Sequence, residues 1–279
     1  MKTRIIVDST ADFLPEFKSR VHTVPLTVRF GDTEYIDGVT INHKTFYEKL
    51  IESDVLPTTS QATPDAFMTE FEKAKEAGEE AVVITLASKF SGTYQSATIA
   101  ASEFDNIYVV DSSSASMGSG ILVELAFKLL DEGKSAKEIA EILEEEKKKI
   151  VIVALVDTLE YLKKGGRISK TVALAGSVLN IKPVLSVIDG EIAMLGKARG
   201  SKMGNNLLVQ EIDKAGGIDF NKPVLLGYSG ISDALLLKYI EDSRFLWENN
   251  LKEVRYTSVC SVIGTHAGPG AVVVAFFKR

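Results

Sequence analysis

The first 156 residues alternate short β-branched runs with amphipathic segments, and this alternation limits the fold more than any other feature of the chain. Several of the runs are apolar at successive positions, which is typical of strands in a mostly parallel sheet covered by helices on both faces. The sequence therefore predicts an α/β domain over residues 1–156. Its strands are expected at residues 5–7, 24–30, 81–86, 107–110 and 150–156, and its helices at residues 44–52, 64–77, 92–103, 120–132 and 135–149.

The pattern changes after residue 156. Asp189-Gly190 separates two apolar runs, which is the strongest short-range signal for a β-hairpin. Antiparallel pairing in this half predicts a second, α+β domain over residues 157–279, with a ligand cleft between the two domains. The other segments expected here are helices at residues 159–163, 171–179, 203–215 and 234–248, and strands at residues 224–228, 254–259 and 271–277.

Charge and composition exclude several classes of protein. Thirty-two Lys and Arg against 38 Asp and Glu give a net charge of −6, which disfavours binding to the phosphate backbone of nucleic acid. No apolar stretch approaches the roughly 20 residues that span a bilayer, and the first residues lack the apolar core of a secretory signal. We expect a cytoplasmic protein without stable membrane insertion. The single cysteine predicts neither a disulfide nor a zinc site.

The first of three polar clusters covers residues 57–64, just before a predicted helix. Thr63 is placed to cap that helix, and Pro64 suits its first position. The cap leaves Thr59, Ser60 and Gln61 unexplained, and these three residues are therefore candidates for a binding site.

The second cluster, residues 87–95, connects a predicted strand to a helix. Such a loop lies at the carboxyl edge of a parallel sheet, where the free N–H groups of a helix start and nearby hydroxyls bind anions. Ser91 and Gly92 are the candidates here, for a carboxylate or a phosphate. The alternative is that Ser91 only caps the helix.

The third cluster is a glycine-rich segment at residues 264–270, predicted to be a turn before the last strand. It contains Thr265 and His266, the latter one of only three histidines.

His22 and His43 show no local partners, and Cys260 is expected to be a small hydrophobic residue in an apolar strand, because nothing near it would lower its pKa. Two loops that follow strands, residues 8–9 and 111–114, either line a site or turn the chain.

Common catalytic motifs are missing from the sequence. It contains neither the glycine motif of dinucleotide-binding domains nor the phosphate loop of NTPases, and it lacks the G-x-S-x-G and H-E-x-x-H patterns. No cofactor and no metal are therefore expected.

Seven motifs follow one another along the chain, at residues 6–12, 25–26 with 35–38, 59–61, 90–97, 162–168, 181–183 and 264–270. By these motifs the chain resembles the DegV family along its whole length. The resemblance implies two α/β domains with a long-chain fatty acid bound between them. Some members of that family are the fatty-acid-binding subunit of bacterial fatty acid kinase, in which a separate subunit brings ATP and forms the acyl phosphate.

The resemblance also implies roles for individual residues. Thr59, Ser91 and His266 would bind the carboxylate, with Ser60, Gly92 and Thr265 beside them, and Arg167 would lie near the mouth, where the kinase subunit docks. Two alternatives stay open at this point. One is a stand-alone hydrolase or transferase with Ser91 as nucleophile and His266 as base, and the other is a lipid carrier or sensor without a kinase.

Overall fold

A computed structural model describes residues 2–169 and 181–279 of the chain. The helix expected at residues 171–179 lies outside the described residues. The strands are β1 (Thr3–Asp8), β2 (Val21–Val24), β3 (Thr27–Phe30), β4 (Thr33–Ile36), β5 (Thr58–Ser60), β6 (Glu80–Thr85), β7 (Ile107–Asp111), β8 (Ile150–Leu155), β9 (Ile181–Ile188), β10 (Glu191–Arg199), β11 (Leu225–Tyr228), β12 (Tyr256–Ser258) and β13 (Val272–Phe277).

The described helices are α1 (His43–Glu52), α2 (Pro64–Glu76), α3 (Thr93–Ala101), α4 (Met117–Asp131), α5 (Ala136–Glu146), α6 (Glu160–Lys164), α7 (Gly200–Lys214), α8 (Ala234–Asp242), α9 (Arg244–Trp247) and α10 (Ser261–Ala267). Short 3-10 turns cover Pro15–Phe17 and Lys147–Lys149.

The first sheet is parallel throughout, with strand order β2-β1-β6-β7. Ile5 and Val7 pack toward α4 and α5, whereas the intervening Ile6 packs toward α2 and α3. Because both faces are covered, its central strands are apolar at successive positions. This arrangement confirms the predicted mostly parallel sheet flanked by helices, and with it the two-domain α/β fold class.

The second sheet has the order β10-β9-β8-β13-β11-β12 and is antiparallel except for the pair β11-β12. The predicted hairpin is confirmed: Asp189 and Gly190 connect β9 to β10, with φ of 50° and 75°. Strand β8 pairs with β9 and β13, although residues 150–156 are predicted to belong to the first domain. Its apolar pattern does not reveal which sheet it joins, and the boundary at residue 156 stays a prediction.

Helix α4 lies between the two sheets and is buried along nearly its whole length. It contacts β1 and β6 on one side, and β8, β11 and β13 on the other. A helix that is apolar on all sides is typical of such an enclosed position. Its packing joins the two halves in one hydrophobic core.

Two predicted elements are wrong, and the single helix predicted at residues 234–248 is divided at Ser243 into α8 and α9. Residues 24–30 do not form one strand: β2 ends before Pro25, which has no N–H to donate, and β3 starts a separate small sheet of order β4-β3-β5. The glycine-rich segment 264–270 is not a turn throughout, because α10 continues to Ala267 and ends at Gly268, whose φ is +71°. Cys260 is therefore not in a strand but caps α10.

No helix in the described ranges is both long enough and apolar enough to cross a membrane.

Candidate functional site

A cavity of about 440 Å³ lies between the first half of the chain and the inner face of the second sheet. Its volume falls within the range of ordinary small-molecule pockets. Most of its wall is aliphatic, from Leu26, Leu86, Ala115, Ile152, Ala154, Val156, Leu162, Leu185, Val187, Ile192, Val259, Val262, Ile263, Ala267, Ala271 and Val273. The polar side chains that also line it are Thr59, Ser60, Gln61, Ser91, Ser116, Ser186, Arg167 and His266.

Thr59 and His266 meet at this cavity. The Thr59 Oγ1 lies 3.0 Å from Nε2 of His266, which joins the small sheet to the last turn of α10. Thr59 is the inward-facing residue of β5, because Thr58 and Ser60 on either side of it are exposed. The alternation of side chains along a strand thus selects Thr59 for the contact.

His266 is neutral at pH 7. Burial, together with the positive charge of Arg167, lowers its pKa from 6.5 to about 4. Its Nδ1 is buried and has no hydrogen-bond partner among the residues that the structure describes. Because an unpaired buried N–H is rarer than an unpaired acceptor, the proton belongs on Nε2, which then donates to Thr59 Oγ1 and leaves the Thr59 hydroxyl hydrogen free for a ligand.

Gly165 packs closely against the imidazole ring of His266. A Cβ at this position would lie 2.1 Å from Nδ1 of His266, which is closer than real contacts allow. Gly268, after α10, is packed as tightly against the ring of Tyr161. The two glycines therefore let α6 and α10 approach each other closely.

Ser91 lies beside the start of α3. Its Oγ is 2.9 Å from Thr93 Oγ1 and accepts a bond of 3.3 Å from the Thr93 N–H. The hydroxyl thus makes local bonds at a helix start and also lines the cavity. Gly92, which also lines the cavity, is the N-cap residue of α3.

Arg167 is exposed at the edge of the same cluster. Its Nε donates to the Phe90 carbonyl at 3.2 Å, and its Nη1 donates to the Gly165 carbonyl at 2.6 Å. These bonds tie the Gly-Gly-Arg segment to the loop that carries Ser91. The guanidinium therefore adds a positive charge near a group of hydroxyl donors.

The remaining predicted residues differ in their placement. Ser60 lines the cavity from an exposed position on β5. Thr265 is buried, its hydroxyl donates to the Ser261 carbonyl, and it is not among the cavity residues. The structure thus brings Thr59, Ser60, Ser91, Gly92, Arg167 and His266 together around one cavity and leaves Thr265 inside α10.

The sequence makes Gln61 a candidate for the site, but it predicts no role for Gly165. The Gln61 amide donates to Ser96 Oγ at 3.1 Å and packs so closely on Gly92 that a Cβ there would lie 2.3 Å from its Oε1. Gln61 was already unexplained by the helix cap. Gly165 gave no comparable signal, because its role depends on a contact with a residue 101 positions along the chain, from 165 to 266.

Comparisons with known proteins agree with this architecture. A family model described as "Uncharacterised protein, DegV family" matches residues 2–279. A DegV domain-containing protein of Caldanaerobacter subterraneus is 37% identical, with 100% of this chain and 99% of the relative covered. A relative from Clostridium acetobutylicum, also described as DegV domain-containing, is 35% identical over 100% of this chain and 99% of its own length.

One similar solved structure is that of a fatty-acid-binding DegV family protein from Thermus thermophilus, with a TM-score of 0.88 and 30% identity over 99% of this chain and 100% of that one. Another is a DegV lipid-binding protein from Thermotoga maritima, with a TM-score of 0.88 and 28% identity over 100% of both chains. The family match, the relatives and the shared fold lead to one conclusion: the chain belongs to the DegV family.

Proposed function

We propose that the protein binds one long-chain fatty acid, with the hydrocarbon tail in the cavity and the carboxylate at the site formed by Thr59, Ser91 and His266, where His266 orients the Thr59 hydroxyl. The observation that carries the proposal is the arrangement of the cavity wall, in which aliphatic side chains form most of the surface and the Thr59 hydroxyl is hydrogen-bonded to the His266 imidazole. The fatty-acid-binding relative from Thermus thermophilus, at 30% identity, supports the same ligand class.

The two parts of the ligand contribute differently. A buried methylene contributes about 0.8 kcal/mol, so a tail of roughly 14 methylenes gives a gross gain near 11 kcal/mol before the costs of association. A hydrogen bond to a carboxylate contributes about 1.5 to 3 kcal/mol. The tail therefore supplies most of the affinity, whereas the hydroxyl cluster fixes the direction in which the acid lies.

The head-group site is suited to holding a carboxylate. Thr59 offers its hydroxyl hydrogen once the His266 Nε2–H has bonded to its oxygen, and Ser91 is placed at the start of α3. Arg167 supplies a full positive charge nearby, and a charged donor strengthens hydrogen bonds to a carboxylate. The acid is thus bound without its carbonyl carbon being attacked.

We further propose that the bound carboxylate is presented to a separate kinase subunit, which brings ATP and forms the acyl phosphate. The exposed position of Arg167 at the edge of the site supports this step, as does the family resemblance of the segment that contains it. The chain's contribution would be to keep the tail out of water and to hold the reacting oxygen in place. It would not be catalytic alone. A lipid carrier or sensor without a kinase uses the same site and differs only in lacking this partner.

The alternative with Ser91 as nucleophile has less support. Its base would have to be His266, but Nε2 of His266 is bonded to Thr59, and the hydroxyl of Ser91 is bonded to Thr93. Within the described residues, no hydrogen bond joins Ser91 to a histidine. A nucleophilic serine requires that contact with its base.

The test is a reconstitution. The chain with ATP, Mg²⁺ and a fatty acid should form no acyl phosphate, and adding a cognate kinase subunit should start the reaction. Arg167→Ala should slow that reaction more than it weakens fatty acid binding, whereas Lys163→Ala, an exposed cation on α6, should change neither. Acyl phosphate formed by the isolated chain would contradict this division of labour.

A further inference from the structure

Three consecutive residues at the start of the helix that carries His266 are each contacted by a side chain from the first half of the protein. Nδ1 of His43 lies 3.0 Å from the carbonyl oxygen of Val259. Asp12 Oδ1 accepts the N–H of Cys260 at 2.9 Å, and Asp37 Oδ1 accepts the N–H of Ser261 at 3.2 Å. We call Val259, Cys260 and Ser261 the docked segment.

The docked segment leads directly into α10, whose first residue is Ser261 and whose last turn contains His266. The Thr265 hydroxyl donates to the Ser261 carbonyl at 2.9 Å, which ties that last turn to the first residue of the helix. Any movement of the docked segment therefore moves the imidazole ring.

The packing of α1 against α10 leaves little freedom for the helix. A Cβ at Gly264 would lie 2.5 Å from the hydroxyl oxygen of Tyr47 and 2.7 Å from the ring of Phe46. His43, at the start of the same α1, has its Nε2 2.8 Å from the carbonyl of Gly230, so one ring contacts two loops of the second half.

The two carboxyl groups are deeply buried, with Asp12 7% and Asp37 3% exposed. Burial raises the pKa of Asp12 to about 8 and also raises that of Asp37. Burying such groups opposes folding unless they are hydrogen-bonded, so their bonds to the docked segment offset a real cost.

Asp12 also reaches the cavity wall. Its Oδ2 accepts a bond of 2.6 Å from the hydroxyl of Ser116, a residue that lines the cavity. Ser116 has φ of +55°, an unusual value for a residue with a side chain. One carboxyl group thus connects the wall around the tail to the helix of the head-group site.

We propose that Asp12, Asp37 and His43 are positioning residues for the head-group site, because they fix the docked segment and thereby hold His266 against Thr59. The expected effect on fatty acids rests on the proposed function. The effect on the hydrogen bond between Thr59 and His266 does not, since that bond exists without a ligand.

The experiment compares Asp37→Ala with Asp37→Asn. The asparagine oxygen can still accept the Ser261 N–H, whereas alanine cannot. Asp37→Ala should lower the affinity for a fatty acid at least tenfold and leave the affinity for its methyl ester within twofold, and Asp37→Asn should restore acid binding. Asp233→Ala is the matched control, because Asp233 accepts from Tyr256 within the second half and does not touch the docked segment.

A second readout needs no ligand. The ring nitrogens of His266, observed by ¹⁵N NMR, should shift in Asp37→Ala and in His43→Ala but not in Asp37→Asn or Asp233→Ala. If Asp37→Ala does not fold, the ligand affinities and the His266 spectrum are both measured on His43→Ala.

An equal loss of affinity for the acid and for its methyl ester would overturn the proposal. So would an unchanged His266 spectrum in the folded alanine variants. A third contradicting result would be an Asp37→Asn variant that binds the acid no more tightly than Asp37→Ala. If the parent protein binds no fatty acid, the proposed function fails, and the His266 spectra still decide whether these residues position the ring.

Discussion

Thr59 and His266 lie 207 residues apart in the sequence, yet the Thr59 Oγ1 and the His266 Nε2 are only 3.0 Å apart. With the imidazole neutral and its proton on Nε2, the histidine satisfies the threonine oxygen and leaves the hydroxyl hydrogen for a ligand. In the proposed function the pair acts as one donor, in which Thr59 touches the ligand and His266 orients Thr59.

Replacing Thr59 by valine removes this donor while keeping the size of the side chain. We expect the affinity for a fatty acid to fall by about 1 to 3 kcal/mol, which is the cost of one lost bond to an anion, with little change for the methyl ester. Thr58→Val is the control, since Thr58 is the exposed neighbour on the same strand. Calorimetric titrations with the fatty acid and with its methyl ester measure the two affinities in each variant. An equal loss for the two ligands would contradict a head-group role.

Gly165→Ala should disturb the site from outside the cavity wall. The backbone at Gly165 is helical, so alanine fits the local conformation, but its Cβ would collide with Nδ1 of His266. We expect weaker acid binding and a changed His266 ring spectrum. Lys164→Ala, at an exposed residue that forms an ion pair with Glu160, should bind like the parent protein. Parent-like binding by Gly165→Ala would show that the ring position is unimportant.

The lowered pKa of His266 predicts how acid binding responds to pH. With a pKa of about 4, the ring does not change charge between pH 6 and pH 8. The affinity for a fatty acid should therefore show no step near pH 6.5 that depends on this residue. Titrations of the parent protein and of His266→Gln with a fatty acid, at several values between pH 6 and pH 8, measure this dependence. A step present in the parent and absent from the variant would mean that the ring is protonated there.

Asp12 should make the fold less stable as the pH rises. Its pKa is about 8 in the folded protein and 3.8 as the ordinary value, so between these values the folded state retains a proton that the unfolded state has lost. Stability falls with pH wherever the folded state binds more protons. Asp12→Asn, which cannot ionise, should lose less stability than the parent between pH 6.5 and pH 8. Urea unfolding at pH 6.5 and at pH 8 measures the free energy of unfolding of each protein. An equal change in this free energy with pH for the parent and for Asp12→Asn would contradict the raised pKa.

The parts of the fold that local chemistry determines were predictable from the sequence. Thr63 and Pro64 begin α2 as expected, and Asp189-Gly190 forms the predicted hairpin, because capping and turn conformations depend on a few neighbouring residues. The apolar strands of the first sheet were also evident, since burial on both faces leaves a continuous pattern.

Long-range packing was not predictable in the same way. The glycines of residues 264–270 suggested a turn, but Gly264 lies inside α10, where Tyr47 and Phe46 leave no room for a side chain. His43 and Asp12 gave no sign of a role, because their partners on the docked segment are more than 200 residues away. The resemblance to a family supplied Thr59, Ser91 and His266 as ligand residues, and those roles await the tests above.

The most direct test of the account is a chain-length series on the delipidated protein. Calorimetric titration with saturated acids of roughly 10 to 18 carbons should show saturable binding of one molecule, with affinity rising by about 0.8 kcal/mol per methylene until the cavity is filled. Binding of none of these acids, or an affinity independent of chain length, would contradict the claim that the cavity holds the tail of a fatty acid.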